Sequence, residues 1–143
     1  ERAQMYMNND QARNAMLDYD AYYKAVNRQV NDLFYYYREQ AALKARQYQR
    51  ALDDIVKAIE LSPKDLTYRA EHAVVNLRVG RYEESMKILN EILKDEPKYG
   101  EAYRLLGLCQ IQLKKTDEAC GNFNKAKELG DPNVDELIKK YCK

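Results

Sequence analysis

The chain has 143 residues, of which 45% are hydrophobic and 33% charged, an ordinary balance for a soluble helical protein. Its 24 basic and 23 acidic side chains give a net charge of +1, so it lacks the basic excess typical of proteins that bind nucleic acid. It also lacks an apolar run near the roughly 18 residues that span a bilayer. We therefore expect neither a nucleic-acid partner nor membrane insertion.

Apolar residues recur at helical spacing almost throughout, and no segment alternates as a half-buried strand does. The first long helix is predicted near 11–28, after a break at 8–10. Short polar turns at 45–47, 79–81 and 114–116 then separate helices within pairs. Pro63, Pro97 and Pro132 mark the breaks between pairs, because proline cannot continue a helix interior. The sequence predicts antiparallel helix hairpins joined by short loops.

One stretch, 48–63, returns 34 residues later at 82–97 and again at 116–131. Three columns of mostly small or aliphatic residues keep this register: Ala51, Ser85 and Ala119; Ile55, Leu89 and Phe123; Ala58, Ile92 and Ala126. A fixed period of this length indicates a stacked array of repeats.

These spaced positions and the closing prolines resemble the tetratricopeptide repeat. The resemblance implies an all-α fold, a right-handed superhelical array (α-solenoid) of antiparallel helix hairpins with a C-terminal capping helix. A partial first repeat, 1–31, has a truncated first helix; full repeats run over 32–65, 66–99 and 100–133; and the capping helix occupies 134–143, all in one domain. The family places a small residue where Ala73 and Gly107 stand, so Glu39 at the same position is a departure that opposes tight packing.

The two ends of the chain carry separate predictions. Asn133 and Glu136 have the spacing of a capping box at the start of the closing helix. The chain opens at Glu1 in a helical pattern without an initiator methionine, which favours a fragment of a longer protein. A targeting segment would then lie upstream.

Little in the sequence indicates chemistry. His72 is the only histidine and is interpreted as a structural, half-buried side chain, so no catalytic residue, metal site or cofactor is predicted. Cys109 and Cys120 fall level on facing helices, which leaves open a disulfide between them or two small apolar fillers. Cys142 is expected to be exposed and able to crosslink monomers. Three cysteines without a paired framework favour a reducing compartment and weakly favour the cytoplasm.

In the resembled family, the first helices of successive hairpins line a concave groove. Carried over by position, the resemblance implies these partner-binding residues: Tyr36, Gln40, Lys44, Val74, Arg78, Arg104, Leu108 and Gln112. Apolar and aromatic residues would form the floor of this groove, and its basic side chains would bind a carbonyl or carboxylate of a bound peptide. The alternative is that about half of the apolar positions pack between hairpins.

Family members that hold chaperone C-termini use a clamp for two carboxylates, built from lysine, asparagine and arginine at fixed positions. This chain has Tyr36, Gln40, Glu71, Glu101 and Leu105 there, which argues against binding of a chaperone carboxylate tail. We expect a non-catalytic module that binds a peptide or protein partner in its groove. The alternative is a scaffolding or regulatory portion of a larger protein whose activity lies N-terminal to this fragment.

Overall fold

The computed structural model describes residues 9–143, and over that range it contains eight α-helices and no strand. The helices are α1 (Asn9–Ala25), α2 (Asp32–Lys44), α3 (Tyr48–Leu61), α4 (Leu66–Arg78), α5 (Tyr82–Asp95), α6 (Gly100–Gln112), α7 (Thr116–Glu128) and α8 (Asp135–Tyr141). Residues 1–8, the start of the predicted partial repeat, lie outside the described residues. The prediction of an all-helical fold is confirmed. None of the described helices is long and apolar enough to cross a bilayer.

The three columns of the 34-residue register are buried without exception. All nine residues have 0% of their surface exposed, on α3, α5 and α7 alike. Fully burying a side chain of this kind contributes about 1.5–3 kcal/mol for the larger members, so the columns anchor the second helix of each of the three full repeats. The periodicity read from the sequence therefore marks the buried face.

The turns inside the hairpins repeat at the same period. Arg46, Gly80 and Lys114 lie 34 residues apart, and each has a positive φ, of 61°, 87° and 63°. In each turn, the backbone N–H of the next residue donates to a backbone carbonyl near the end of the preceding helix. These bonds join Gln47 to Ala42, Arg81 to Asn76 and Lys115 to Gln110, all at 2.8 Å. This is a left-handed C-terminal cap, which satisfies carbonyls at the helix end. Glycine adopts a positive φ without strain, and of these three turn positions only Gly80 is a glycine.

The chain divides into two compact units, 1–68 and 69–143. In the first unit, α1 packs against α2 through a cluster of aromatic rings. Phe34 lies 5.6–5.8 Å from the ring centres of Tyr19, Tyr22 and Tyr23. Helix α1 starts two residues before the predicted span and ends three residues before the predicted end. It includes Asn9, where a break was predicted, and it ends before the left-handed turn that follows it.

The first unit also encloses charged groups between α2 and α3. Arg38 donates to both carboxylate oxygens of Asp54 at 2.8 and 2.9 Å, and its side chain is 11% exposed. Glu39, the predicted departure from a small residue, is fully buried on the same helix. The sequence pattern did not indicate that this hairpin would enclose ionisable side chains.

In the second unit, α6 packs between α5 and α7. Gly107 lies against Phe123: a Cβ atom at that glycine would be 2.4 Å from the phenylalanine Cε1 atom. On α5, the hydroxyl of Ser85 donates to the Ala73 carbonyl at 2.7 Å. Small residues at these positions therefore allow the close helix approach that the repeat pattern predicts.

Helix α8 closes the second unit, but it does not begin as predicted. It starts at Asp135, and Val134, rather than Asn133, precedes its first residue as the cap. The Asn133 backbone N–H instead donates to the Asp131 carboxylate at 2.7 Å, which fixes the turn before the helix. In a capping box, the Asn133 N–H would donate to the Glu136 side chain. The capping-box prediction is wrong because this N–H donates to Asp131 instead.

Candidate functional site

The eight predicted partner-binding residues lie along one stripe of each first helix. On α2 the stripe is Tyr36, Gln40 and Lys44, at a spacing of four residues, and all three are half-buried. Residues four apart on a helix lie one above the other. The α2 stripe is therefore a continuous surface of one aromatic ring, one amide and one basic side chain.

The Tyr36 ring belongs to an aromatic group that hydrogen bonds hold in place. Its centre lies 5.5 Å from the Tyr37 ring and 5.2 Å from the Tyr68 ring. Tyr68 donates its hydroxyl to the Asp32 carboxylate at 2.6 Å. That bond lowers the pKa of Asp32, while burial and the same bond raise the pKa of Tyr68. Because the tyrosine stays protonated and the aspartate ionised, the bond persists at neutral pH.

On α4 the stripe is Val74 and Arg78. Val74 is half-buried, and Arg78, the last residue of the helix, is exposed. His72 lies two residues before Val74 and is half-buried. Burial lowers the pKa of His72, and the carboxylate of Glu84 opposes this shift. The imidazole is consequently neutral at pH 7, as expected of a structural histidine.

On α6 the stripe is Arg104, Leu108 and Gln112. Arg104 donates to the Asp131 carboxylate at 3.0 Å, and the Asp131 side chain is only 2% exposed. This arginine therefore ties α6 to the turn before α8, an intramolecular role that its sequence position did not reveal. Leu108 packs against the core cluster of α7, which fits the alternative in which part of the stripe is packing. Gln112 is exposed.

The cysteines pair differently from the sequence prediction. Cys120 and Cys142 form a disulfide, with their Cα atoms 5.7 Å apart, and Cys109 is free and buried. Cys109 faces α5, where it contacts Ser85, while Cys120 faces α8. Neither alternative left open by the sequence holds for both residues: Cys109 and Cys120 point to opposite neighbours and form no bridge, and only Cys109 is a free, buried side chain. The expectation of an exposed Cys142 that is able to crosslink monomers is wrong, because Cys142 is half-buried and bonded to Cys120.

The structure also shows a polar cluster that sequence reasoning missed. In the first unit, Asp20 accepts hydrogen bonds from both Arg38 and Arg50, and the Arg38 guanidinium lies 4.7 Å from the centre of the Tyr23 ring. A cation between a carboxylate and an aromatic face is a stabilising arrangement. No periodic signal could have found it, because the partners come from three helices. In residues 9–143, no three His, Cys, Asp or Glu side chains come together as metal ligands would.

Two family models match the chain. One, described as anaphase-promoting complex, cyclosome, subunit 3, matches residues 8–92, which is more than half of the chain. The other, described as tetratricopeptide repeat, matches residues 70–134. With the helical hairpins described above, these matches show that the chain belongs to the tetratricopeptide repeat family. Domains of this family are typically non-catalytic modules for protein interaction.

Two curated relatives each match about two thirds of the chain. Small glutamine-rich tetratricopeptide repeat-containing protein 2 of Mycosarcoma maydis is 30% identical over 99 residues, 69% of this chain and 28% of that protein. Heat shock protein STI1 of Saccharomyces cerevisiae is 32% identical over 101 residues, 68% of this chain and 17% of that protein. The chain therefore spans less than a third of the length of these relatives.

Solved structures share the fold at low identity. The tetratricopeptide repeat protein YrrB, described as having an unusual peptide-binding site, superimposes with a TM-score of 0.72 at 20% identity, covering 85% of this chain and 64% of that one. The first such domain of Spaghetti (RPAP3), solved bound to the HSP90 peptide SRMEEVD, gives a TM-score of 0.66 at 19% identity, covering 78% and 90%.

These findings overturn one prediction. The prediction against binding of a chaperone carboxylate tail is wrong, because the chain is similar to a heat shock protein and shares its fold with a domain that holds an HSP90 peptide. The mismatches concern the residue types at five fixed positions only. Lysine and arginine side chains are long and flexible, so a cation from a neighbouring position can serve the same carboxylate. Mismatches at fixed positions therefore do not exclude the ligand.

Proposed function

We propose that this chain binds a peptide segment of a partner protein through the stripes on α4 and α6 of the second unit, and that the α2 stripe of the first unit is a contact surface of its own. The observation that carries the proposal is a contrast in burial. None of the eight stripe residues is fully buried, whereas all nine residues of the repeat register have no exposed surface. The stripes therefore leave side chains of the first helices partly exposed to a ligand, while the other faces of these helices and the second helices supply the core.

The side chains indicate the chemistry of the peptide. Tyr36 offers an aromatic surface for an apolar side chain, and tyrosine is enriched at binding hot spots. Arg78 is exposed and has the geometry to meet a carboxylate with two hydrogen bonds. Arg104 is already engaged by Asp131, so Arg78 is the stronger candidate of the two arginines. A peptide with both apolar and carboxylate groups fits best, and the similarity to the domain bound to SRMEEVD supports that class.

Calorimetric titration with the peptide SRMEEVD tests the proposal directly. We expect Arg78→Ala to weaken binding about tenfold, because it removes a charge-assisted hydrogen bond. The matched control is Arg81→Ala, another exposed arginine three residues away that lies outside the stripes, and it should leave the affinity unchanged. A C-terminally amidated peptide should also bind more weakly.

Two results would contradict the proposal. Equal losses from the two arginine variants would mean that the peptide responds to net charge rather than to the α4 stripe. If SRMEEVD does not bind at all, the carboxylate class is wrong. Tyr36→Ala, measured in the same way, separates the α2 stripe from the α4 stripe.

We further propose that the chain catalyses no reaction. Cys109 is fully buried, and burial raises the pKa of its thiol, so it is not poised as a nucleophile. The neutral His72 has its backbone carbonyl bonded to Asn76, and its ring is half-buried in the helix face. Turnover of a substrate that is lost in a folded His72→Gln variant would contradict this.

A second candidate function is that of a scaffolding or regulatory part within a larger protein. The observation that favours it is the small share, 28% and 17%, that the chain covers of its relatives. An antibody raised against this chain tests it by immunoblot of cells that express the protein. A band well above the 16.8 kDa of the chain is expected, and a band at that mass contradicts it.

A further inference from the structure

The disulfide joins the last segment of the chain to the last hairpin. Cys120 lies on α7, and Cys142 follows directly after α8, so the bridge closes a loop with a sequence separation of 22. Both cysteines are half-buried rather than enclosed. A dissolved thiol can therefore reach the bond, as attack on a disulfide sulfur requires.

Apart from this bond, α8 is weakly held. It has seven residues and none of them is fully buried. Leu137, Ile138 and Tyr141 are only partly buried against the α7 core, and the ion pair between Lys127 and Asp135 is exposed on both sides. Isolated helices of fewer than about 12 residues are marginal in water, and exposed ion pairs add little.

The turn before α8, in contrast, is firmly anchored. Val134 has no exposed surface, and the nearly buried Asp131 carboxylate binds Arg104. Residues 131–134 therefore stay attached to the second unit whether or not the disulfide is present. Any movement is confined to the chain beyond Val134.

We propose that Cys120 and Cys142 form a reversible modification site for small thiols and dithiols, and that reduction releases α8 from α7. In the reaction, the S–S bond breaks and two S–H bonds form on the protein. Two external thiols, or one dithiol, supply the two electrons and two protons and become a disulfide. The reverse reaction, with an external disulfide, docks α8 again.

Cys109 does not compete in this exchange. It is fully buried, and it faces Ser85 on α5 rather than the α8 side of the hairpin. Its pKa is raised by burial, so little thiolate forms there. The oxidised protein should therefore contain one thiol, and the reduced protein three.

Hydrogen exchange measured by mass spectrometry tests the proposal on the intact chain. The backbone N–H of Ile138, in α8, donates to the Val134 carbonyl, and the backbone N–H of Cys142, directly after α8, donates to the Ile138 carbonyl. We expect the exchange of these two amides to become faster, on the order of a hundredfold, when a dithiol reduces the protein. This is about the factor by which a disulfide that closes a loop of this length favours the closed state. The amides of α6 and α7 should keep their protection.

Two variants make the test specific. Cys120→Ser/Cys142→Ser should show the exchange of the reduced protein both with and without the dithiol. Cys109→Ala should respond to the dithiol as the unchanged protein does. If the serine variant does not fold, reduction of the unchanged protein provides the same comparison. Three titratable thiols in the denatured oxidised protein, unchanged exchange in α8 on reduction, or loss of protection across α6 and α7 would each overturn the proposal.

Discussion

Gly107 offers a sharp test of the packing in the second unit. A methyl group at this position would lie 2.4 Å from Cε1 and 2.6 Å from Cδ1 of Phe123, closer than such atoms approach in proteins. Phe123 is fully buried, and its ring stacks on Tyr141 with 6.5 Å between centres. The ring therefore cannot turn into solvent, and either α6 or the ring must shift.

Two opposing effects set the size of the change. Replacing glycine by alanine inside a helix is worth about 1 kcal/mol in favour of folding. Overpacking a filled core costs about 1–3 kcal/mol, with severe contacts at the upper end. We expect Gly107→Ala to lower the free energy of unfolding by a net 1–2 kcal/mol, roughly. Gly121→Ala is the matched control, because a Cβ atom there would meet nothing within 4 Å, and it should raise stability by about 0.5–1 kcal/mol.

Urea unfolding followed by circular dichroism measures both variants. The cause can be isolated by repeating Gly107→Ala in a Phe123→Leu background, where the ring atoms that the methyl group meets are absent. The cost of the alanine should shrink or change sign there, as expected for two residues in contact. A stabilising Gly107→Ala, or an equal cost in both backgrounds, would refute the close approach of α6 to α7.

Three other predictions concern the core and its charges. Ala51→Leu should lower the free energy of unfolding by about 1–3 kcal/mol because the site is filled, whereas Ala21→Leu at an exposed position should be nearly neutral in the same urea titration. Arg38→Met should lower the free energy of unfolding by about 3–5 kcal/mol because it leaves the buried Asp54 carboxylate without its cation, and Arg38→Met/Asp54→Leu should recover most of this stability. An equal loss of stability in the single and the double variant would contradict the ion pair. Because burial lowers the pKa of His72, the folded state binds its proton less readily than the unfolded state. Stability should therefore fall as pH drops below about 6.5, and His72→Gln should flatten this part of the profile in unfolding titrations at pH 8 and 5.5.

The repeat register could be read from the sequence because it depends on local geometry. A helix turns every 3.6 residues, so side chains at regular spacing share a face whatever surrounds them. Ala51, Ile55 and Ala58 share one face of α3 by this spacing, and all three are fully buried. Proline at Pro63 and Pro97 breaks the helix by its own covalent structure, which is also a local property.

The groove could be predicted only as a set of positions. Spacing places Tyr36, Gln40 and Lys44 on one face of α2, but it does not say which atoms neighbouring elements already occupy. Arg104 illustrates the limit, since its partner Asp131 is 27 residues away along the chain. Nothing in the residue types near either side chain indicates this pairing.

What the sequence determined by itself is the helical array: which residues are helical, which face is buried and where each hairpin turns. What the tertiary structure decided is how side chains distant in sequence combine. Cys120 meets Cys142 rather than Cys109 because α8 folds back onto α7, and Arg38 meets Asp54 across the first hairpin. Helical periodicity comes from the backbone and is repeated along the chain. A contact between two particular side chains depends on how whole helices pack, which the order of residues along one helix does not specify.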